Sequence, residues 1–394
     1  MSAVERDVLK QAREGDPVAL TQALVAIPSV NPTLAPGGAG EAEIAGVCAD
    51  WLRGWGLEAD VVEVAPGRCN VVATLEGDGP TLLLNGHLDT VGTDGMSVPA
   101  FGGPVRDGIL HGRGSCDMKG GVAALMAAAA RLARRGPRPR LVVALTADEE
   151  HASLGMDALV RSGVSADLAV VCEPTGLAVM PAHKGFVWVK AAFRGRAAHG
   201  SRPDLGVDAI RHAGLYLAAL DSYAARLRVR GVHPLLGHGS FHAGTIRGGT
   251  AESVYPEACE ILIERRTLPG ERTADVMADF HGVLDDLASR ESLLYATLEV
   301  TLERPGTEVS VASRLVQGLL EGGDAVGVPR AVTGMTAWVD AAFLNEAGIP
   351  AVCYGPGDIA QAHCADEWIE VAQVGACADV LERFGRALAG GAAS

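Results

Sequence analysis

The sequence predicts an α/β protein: a mostly parallel β-sheet flanked by helices, interrupted by a small inserted α+β domain. Three observations lead there. Short continuous apolar runs alternate with helical stretches in the first part of the chain, as buried parallel strands and their crossover helices do. Charged or ligand-type side chains follow those runs directly. From residue 183 the order changes to strand, helix, strand, strand, helix, strand, and the first pattern resumes near residue 301. The expected organisation is a discontinuous main domain, residues 1–182 and 301–394, around an insert at residues 183–300.

Pro17-Val18-Ala19-Leu20 opens a helix expected over residues 17–30, with Pro28 closing it. Ile44, Val47, Cys48, Trp51 and Leu52 recur at helical spacing within residues 41–55. Thr81–Asn85 is a buried strand ending at Gly86. Residues 119–135 form an Ala-rich helix with Arg134 and Arg135 in its last turn, where cations suit the helix dipole. Arg140–Thr146 and Ala166–Cys172 are further buried strands. The insert reads as strand Gly185–Arg194, helix Gly206–Leu227, strands Ser240–Ile246 and Ala258–Arg266, helix Arg272–Ser289 and strand Ala296–Leu302. Ser313–Leu320 and Ala351–Tyr354 return to helix and strand.

A chain of 394 residues exceeds one ordinary core. With 48% hydrophobic and 21% charged residues the composition is globular, and 4% aromatics leaves the core to Ala, Val and Leu. A net charge of −15 argues against nucleic acid as a partner. No apolar stretch spans a bilayer: Gly121–Ala130 comes nearest and is too short. Met1–Gly15 is charged and carries no secretory core, and the eight cysteines are scattered without a C-x-x-C pair. The expected setting is cytoplasmic, with no membrane partner.

Alternate residues of a strand share a face, so His87 and Asp89 in Gly86-His87-Leu88-Asp89 can work together, the carboxylate steadying a metal-binding imidazole. Taken alone, H-x-D is common by chance. Asp117 lies in the glycine-rich run Gly112–Gly121 just before a helix; it could be an N-cap, or a carboxylate whose two oxygens bridge two cations. Asp148-Glu149-Glu150 packs three acids behind a buried strand, where they repel unless a cation compensates. One Glu would then bind metal while its neighbour acts as general base. Glu173 follows another apolar run and is pinned by Pro174, and His363 sits in Gln361–Glu367. As a set, two His and three carboxylates suit paired zinc or cobalt better than a thiolate-bound structural zinc.

These motifs, in this order, resemble the dinuclear zinc deacylases and exopeptidases that include acetylornithine deacetylase, succinyl-diaminopimelate desuccinylase, aminoacylase-1 and carboxypeptidase G. The resemblance runs from about Val18 to Glu382 and rests on Gly86–Asp89, Gly112–Gly121 and Asp148–Glu150. It implies a zinc-exopeptidase-type sheet with a ferredoxin-like insert serving as lid and dimerisation domain. It implies two Zn2+ per chain, with Co2+ possible. Asp117 would bridge them, His87 and Glu173 would hold one, and Glu150 and His363 the other. Glu149 would be the general base, Asp89 would orient His87, and the Asp117–Met118 peptide would be cis. Ala198–Pro203 matches the segment whose His, here His199, reaches a partner subunit's site to stabilise an oxyanion. Arg266 would grip a substrate carboxylate, and Gly355 and Gly357 would line the pocket with N–H groups. Ser253 stands where relatives carry a substrate-holding Asn, Glu264 where they carry Asp, and Asp366-Glu367 where they carry Asn-Glu.

The implied substrate is an N-acyl amino acid or dipeptide, and the implied assembly a homodimer through the lid. An acetylornithine deacetylase-like deacylase comes first, and a desuccinylase or glutamate-releasing carboxypeptidase second. A catalytically silent metal-binding relative would lack a ligand or the base, and none of those residues is missing.

Overall fold

The computed structural model describes residues 3–134 and 136–390, so Arg135, expected in a helix end, lies outside the described residues. The chain divides into two compact units. One comprises Met1–Pro181, Val309–Thr333 and Val339–Ser394; the other comprises Ala182–Glu308 and Gly334–Trp338. The second unit therefore runs past residue 300, because its last long strand extends to Arg304.

In the first unit the sheet runs Glu58–Ala65, Arg68–Leu75, Arg140–Thr146, Thr81–His87, Leu168–Val171, Ala351–Cys353 and Val179–His183. The middle four strands are parallel and the flanking pairings antiparallel. The parallel strands are apolar because helices cover both faces: Leu82, Leu83 and Leu84 are fully buried, as are Leu141, Val143 and Leu145. The short apolar runs in the sequence are these strands.

Local chemistry sets the helix ends. Pro17 starts the helix Pro17–Val25, and Asp16 caps it by accepting the Ala19 N–H at 2.8 Å. That helix stops short of residue 30, since a residue preceding Pro28 is pushed out of helical geometry. The Ala-rich helix Gly120–Ala133 is almost wholly buried. Its small side chains let it approach the strand ends closely: a Cβ on Gly121 would lie 2.0 Å from the main-chain oxygen of Cys172. The final helix, Val371–Gly390, packs on it, with Arg131 paired to Asp379 at 2.5 Å.

The second unit is an antiparallel sheet in the order Tyr295–Arg304, Gly185–Arg194, Ala258–Thr267, Ser240–Gly248, with helices Ala209–Leu227 and Thr273–Ala288. Val187, Val189, Ala191 and Phe193 alternate inward with Ile261 and Ile263 onto those helices. Tyr223, Phe241 and Phe280 make edge-on and stacked contacts there, with centroids 5.4 to 6.4 Å apart. All eight cysteines are free. No helix among the described residues is long and apolar enough to cross a membrane.

The close approach at Gly121 is testable. Gly121→Ala should cost about 1–3 kcal/mol through overpacking, read as a lower denaturant midpoint at constant slope. Gly282→Ala, on a helix face with nothing within 4 Å of the new Cβ, should be neutral or slightly stabilising. Equal midpoints for the two variants would refute the packing account.

Candidate metal centre

The site lies at the carboxyl ends of the parallel strands of the first unit, where an open α/β sheet collects loops. His87 ends the strand Thr81–His87; Glu149 and Glu150 follow Arg140–Thr146; Glu173 follows Leu168–Val171. Asp117 sits in a tight turn, Ser115–Lys119, ahead of the Ala-rich helix, and its peptide bond to Met118 is cis. His363 comes from a loop near the C-terminus and adopts φ +62°.

These residues converge on Asp117. His87 Nε2 lies 3.0 Å from its Oδ1, and His363 Nε2 lies 3.5 Å from its Oδ2. One carboxylate therefore presents its two oxygens to two different imidazoles. His363 Nε2 is also 2.9 Å from Glu150 Oε2, and Glu149 Oε2 is 4.0 Å from His87 Nε2. Ligand atoms of His87, Asp117 and Glu150 fall within 4.8 Å of one another. His87 Nδ1 donates to the main-chain oxygen of Asp89 at 2.9 Å, which leaves Nε2 as the ring atom turned toward Asp117.

Asp89 does more than face His87. Its carboxylate is 3.7 Å from His87 Nδ1, while its oxygens accept the main-chain N–H groups of Glu149 at 3.1 Å and Glu150 at 3.3 Å. The residue joins the strand end that carries His87 to the loop that carries the acids.

The electrostatics are those of acids short of cations. Burial, then the charge of Asp117, pushes the Glu173 carboxyl up to about 8. Burial and the Glu173 charge raise Glu149 well above the usual carboxylate range. Burial pushes Asp117 upward too, but the hydrogen bond and charge of His87 outweigh it and hold Asp117 low. Burial works to lower His87, yet its bond to Asp117 and the nearby carboxylates raise it well above its ordinary value. Glu150 Oε1 and Glu173 Oε1 are buried with no hydrogen-bond partner. Hard oxygen donors without protons to accept, beside two imidazoles, fit divalent cations such as zinc or cobalt.

Two residues read as pocket N–H donors are otherwise engaged. Gly355 donates to Thr175 Oγ1 at 3.0 Å and Gly357 to Gln373 Oε1 at 2.9 Å, so neither N–H is available to a ligand. Space explains the glycines instead: a Cβ on Gly355 would lie 2.4 Å from the main-chain oxygen of Glu173.

Sequence reading passed over the part played by Glu367. Its buried carboxylate accepts from Arg113 Nη1 at 2.7 Å and from the N–H groups of Gly114, Cys116 and Asp117 at 3.0, 2.9 and 3.1 Å. It clamps the turn that carries Asp117, from the same segment that supplies His363. An acid entering the strand Trp368–Glu370, with an Arg in the glycine-rich run, was the signal available.

In the second unit, His199 and Ser253 come together. The segments pair at His199 and Val254, and Gly200 donates to the Ser253 oxygen at 2.7 Å. The Ser201 N–H donates to His199 Nδ1 at 3.2 Å, which puts the proton of the neutral ring on Nε2. Arg266 pairs with Glu264 at 3.0 Å and lies over the Phe186 ring at 5.5 Å.

The profile described as Peptidase family M20/M25/M40 matches residues 83–387. An acetylornithine deacetylase from Myxococcus xanthus is 33% identical over 324 residues, covering 80% of this chain and 83% of its own. A putative succinyl-diaminopimelate desuccinylase, DapE, from Mycobacterium tuberculosis is 32% identical over 374 residues, covering 94% and 98%. The aminopeptidase PepT from Bacillus cereus matches in fold, with a TM-score of 0.79 at 22% identity over 95% of this chain and 99% of its own. A dinuclear metal-binding peptidase from Bacillus subtilis gives 0.74 at 16% identity, over 96% and 99%. The profile spans every residue that converges on Asp117, and the relatives extend over most of their own lengths: the chain belongs to peptidase family M20/M25/M40, as a metal-dependent hydrolase.

Proposed function

We propose that this chain is a two-zinc deacylase that cleaves the amide bond of an N-acyl amino acid, in the manner of an acetylornithine deacetylase. The observation that carries the reading is Asp117, whose two oxygens face His87 and His363 separately. His87 and Glu173 would hold one ion, Glu150 and His363 the other, and Asp117 both. The buried, unpartnered oxygens of Glu150 and Glu173 support that division. Paired divalent ions held by these residues would supply polarisation of the amide carbonyl and acidification of the attacking water.

The chain's own groups do the rest. Glu149 adjoins the ligands without spending its carboxylate on a hydrogen bond to His87, its Oε2 being 4.0 Å away. It takes the proton from the attacking water and delivers it to the leaving amine. His199, with its proton on Nε2, offers that N–H to the developing oxyanion of a partner subunit's site, which makes the working form a homodimer joined through the second unit. Arg266 grips the substrate carboxylate with the donors Glu264 leaves to it. Ser253, beside His199, touches the substrate and tunes its choice. Free, mostly buried cysteines support a reducing, cytoplasmic setting. The Mycobacterium tuberculosis relative, matched over more of the chain, favours a desuccinylase as the second reading. A glutamate-releasing carboxypeptidase, ranked level with it on sequence alone, follows.

Three outcomes follow. Glu149→Gln should cut kcat by about 10²–10⁴-fold with metal content unchanged, measured on whichever of N-acetylornithine, N-succinyl-diaminopimelate or a glutamate-terminated dipeptide turns over; near-normal kcat would remove Glu149 as the base. Glu367→Gln should weaken zinc affinity by about 10–100-fold in chelator competition, and unchanged affinity would show that its clamp on the Asp117 turn is dispensable. Gel filtration should give a dimer; a fully active monomer would remove the role of His199 in trans.

A further inference from the structure

Arg68 opens the strand Arg68–Leu75 and is buried among acids. Its Nε and Nη2 donate to Glu41 Oε2 at 2.7 Å and Oε1 at 2.5 Å, while Nη1 reaches Asp148 Oδ1 at 2.9 Å. Asn31, fully buried, donates through Nδ2 to that same Asp148 oxygen at 3.0 Å and to Asp89 Oδ2 at 2.8 Å. Glu41 Oε1 accepts the Asp148 N–H at 3.3 Å, and Asp148 Oδ2 accepts the Leu154 N–H at 3.4 Å. Asp148 is thus gripped from every side at φ +69°, a left-handed conformation that non-glycine residues seldom adopt.

The position of Asp148 gives the grip its meaning. It is the last residue before Glu149 and Glu150, and its φ sets the direction in which the chain leaves the strand Arg140–Thr146. Asp89 takes up the next two N–H groups, and Asn31 ties Asp89 to Asp148. The connections run unbroken from Arg68 to the backbone of both glutamates. A brace for stability alone would not need one guanidinium shared between two buried carboxylates with a third joined on through Asn31, since burying surplus charge costs free energy. A planar fork does suit the holding of two carboxylates at fixed angles.

We propose that Arg68, with Glu41 and Asn31, is a positioning device for the Asp148–Glu150 loop: it holds Asp148 left-handed and so aims Glu150 at the metal ions and Glu149 at the substrate. This rests on the two-metal reading above. None of the three touches the reacting atoms; they act through Asp148 and Asp89.

The test uses Arg68→Lys, which keeps the charge but loses the fork, and Asn31→Ala, which removes the bridge and serves if the first variant fails to fold. Cobalt(II) affinity of the metal-free protein is measured by chelator competition, its melting temperature is measured without metal, and kcat and KM are measured on the substrate found for the wild type. Cobalt affinity should fall by about 10–100-fold and kcat by a similar factor, with KM close to wild type, whatever the metal-free melting temperature does. Affinity and kcat within about twofold of wild type in both variants would overturn the proposal. So would a fall in metal-free melting temperature with unaltered affinity, the signature of a brace. If the wild type itself binds no cobalt, the two-metal reading fails and takes this one with it. If the wild type binds and the variants match it, only the positioning role fails.

Discussion

Carboxylates repel one another when water is taken away, and this fold gathers Asp117, Glu149, Glu150 and Glu173 at the buried ends of its parallel strands. Protons taken up by the acids, or positive charge beside them, make such an arrangement tolerable. Two imidazoles supply some of that charge, one on each oxygen of Asp117, and the orphaned oxygens of Glu150 and Glu173 mark where more is needed. The surrounding structure reads as the means of keeping these acids together. The Glu367 carboxylate gathers three N–H groups under the Asp117 turn, Asp89 gathers two under the Glu149 loop, and glycines at 121 and 355 let backbone approach backbone beneath Glu173.

Much of this was legible in the sequence, for a physical reason. Strands buried on both faces leave uninterrupted apolar runs, so Arg140–Thr146 carries the bounds read from sequence alone; Gly185–Arg194, buried on alternate residues, carries them through its period of two. Ligand-type residues placed directly behind such runs are weak signals singly, and it was their occurrence as a set that pointed to a site. The alternating apolar positions of the insert likewise disclosed its two helices and four strands within a few residues.

The edge hairpin Glu58–Ala65 and Arg68–Leu75 escaped notice because its outer strand is largely exposed and carries no apolar run. The last helix, Val371–Gly390, was missed as well, although Val374, Leu381, Phe384 and Leu388 are buried along it at helical spacing. Connections between distant residues were the least visible. An acid entering the strand Trp368–Glu370 hints at Glu367 but not at the three N–H groups of the 113–117 turn that it holds, and nothing near Asn31 announces Asp89 and Asp148. The glycines at 355 and 357 misled for a related reason: their type showed a tight backbone, while the partners of their N–H groups lie in other segments.

The central claim is that Asp117 is shared between two metal ions in each chain. Native mass spectrometry after reconstitution with zinc tests it most directly, read beside an Asp117→Asn variant that keeps the size but loses the charge. The account predicts two ions per wild-type chain and fewer in the variant. A single ion in the wild type, none at all, or full double occupancy in the variant would contradict it.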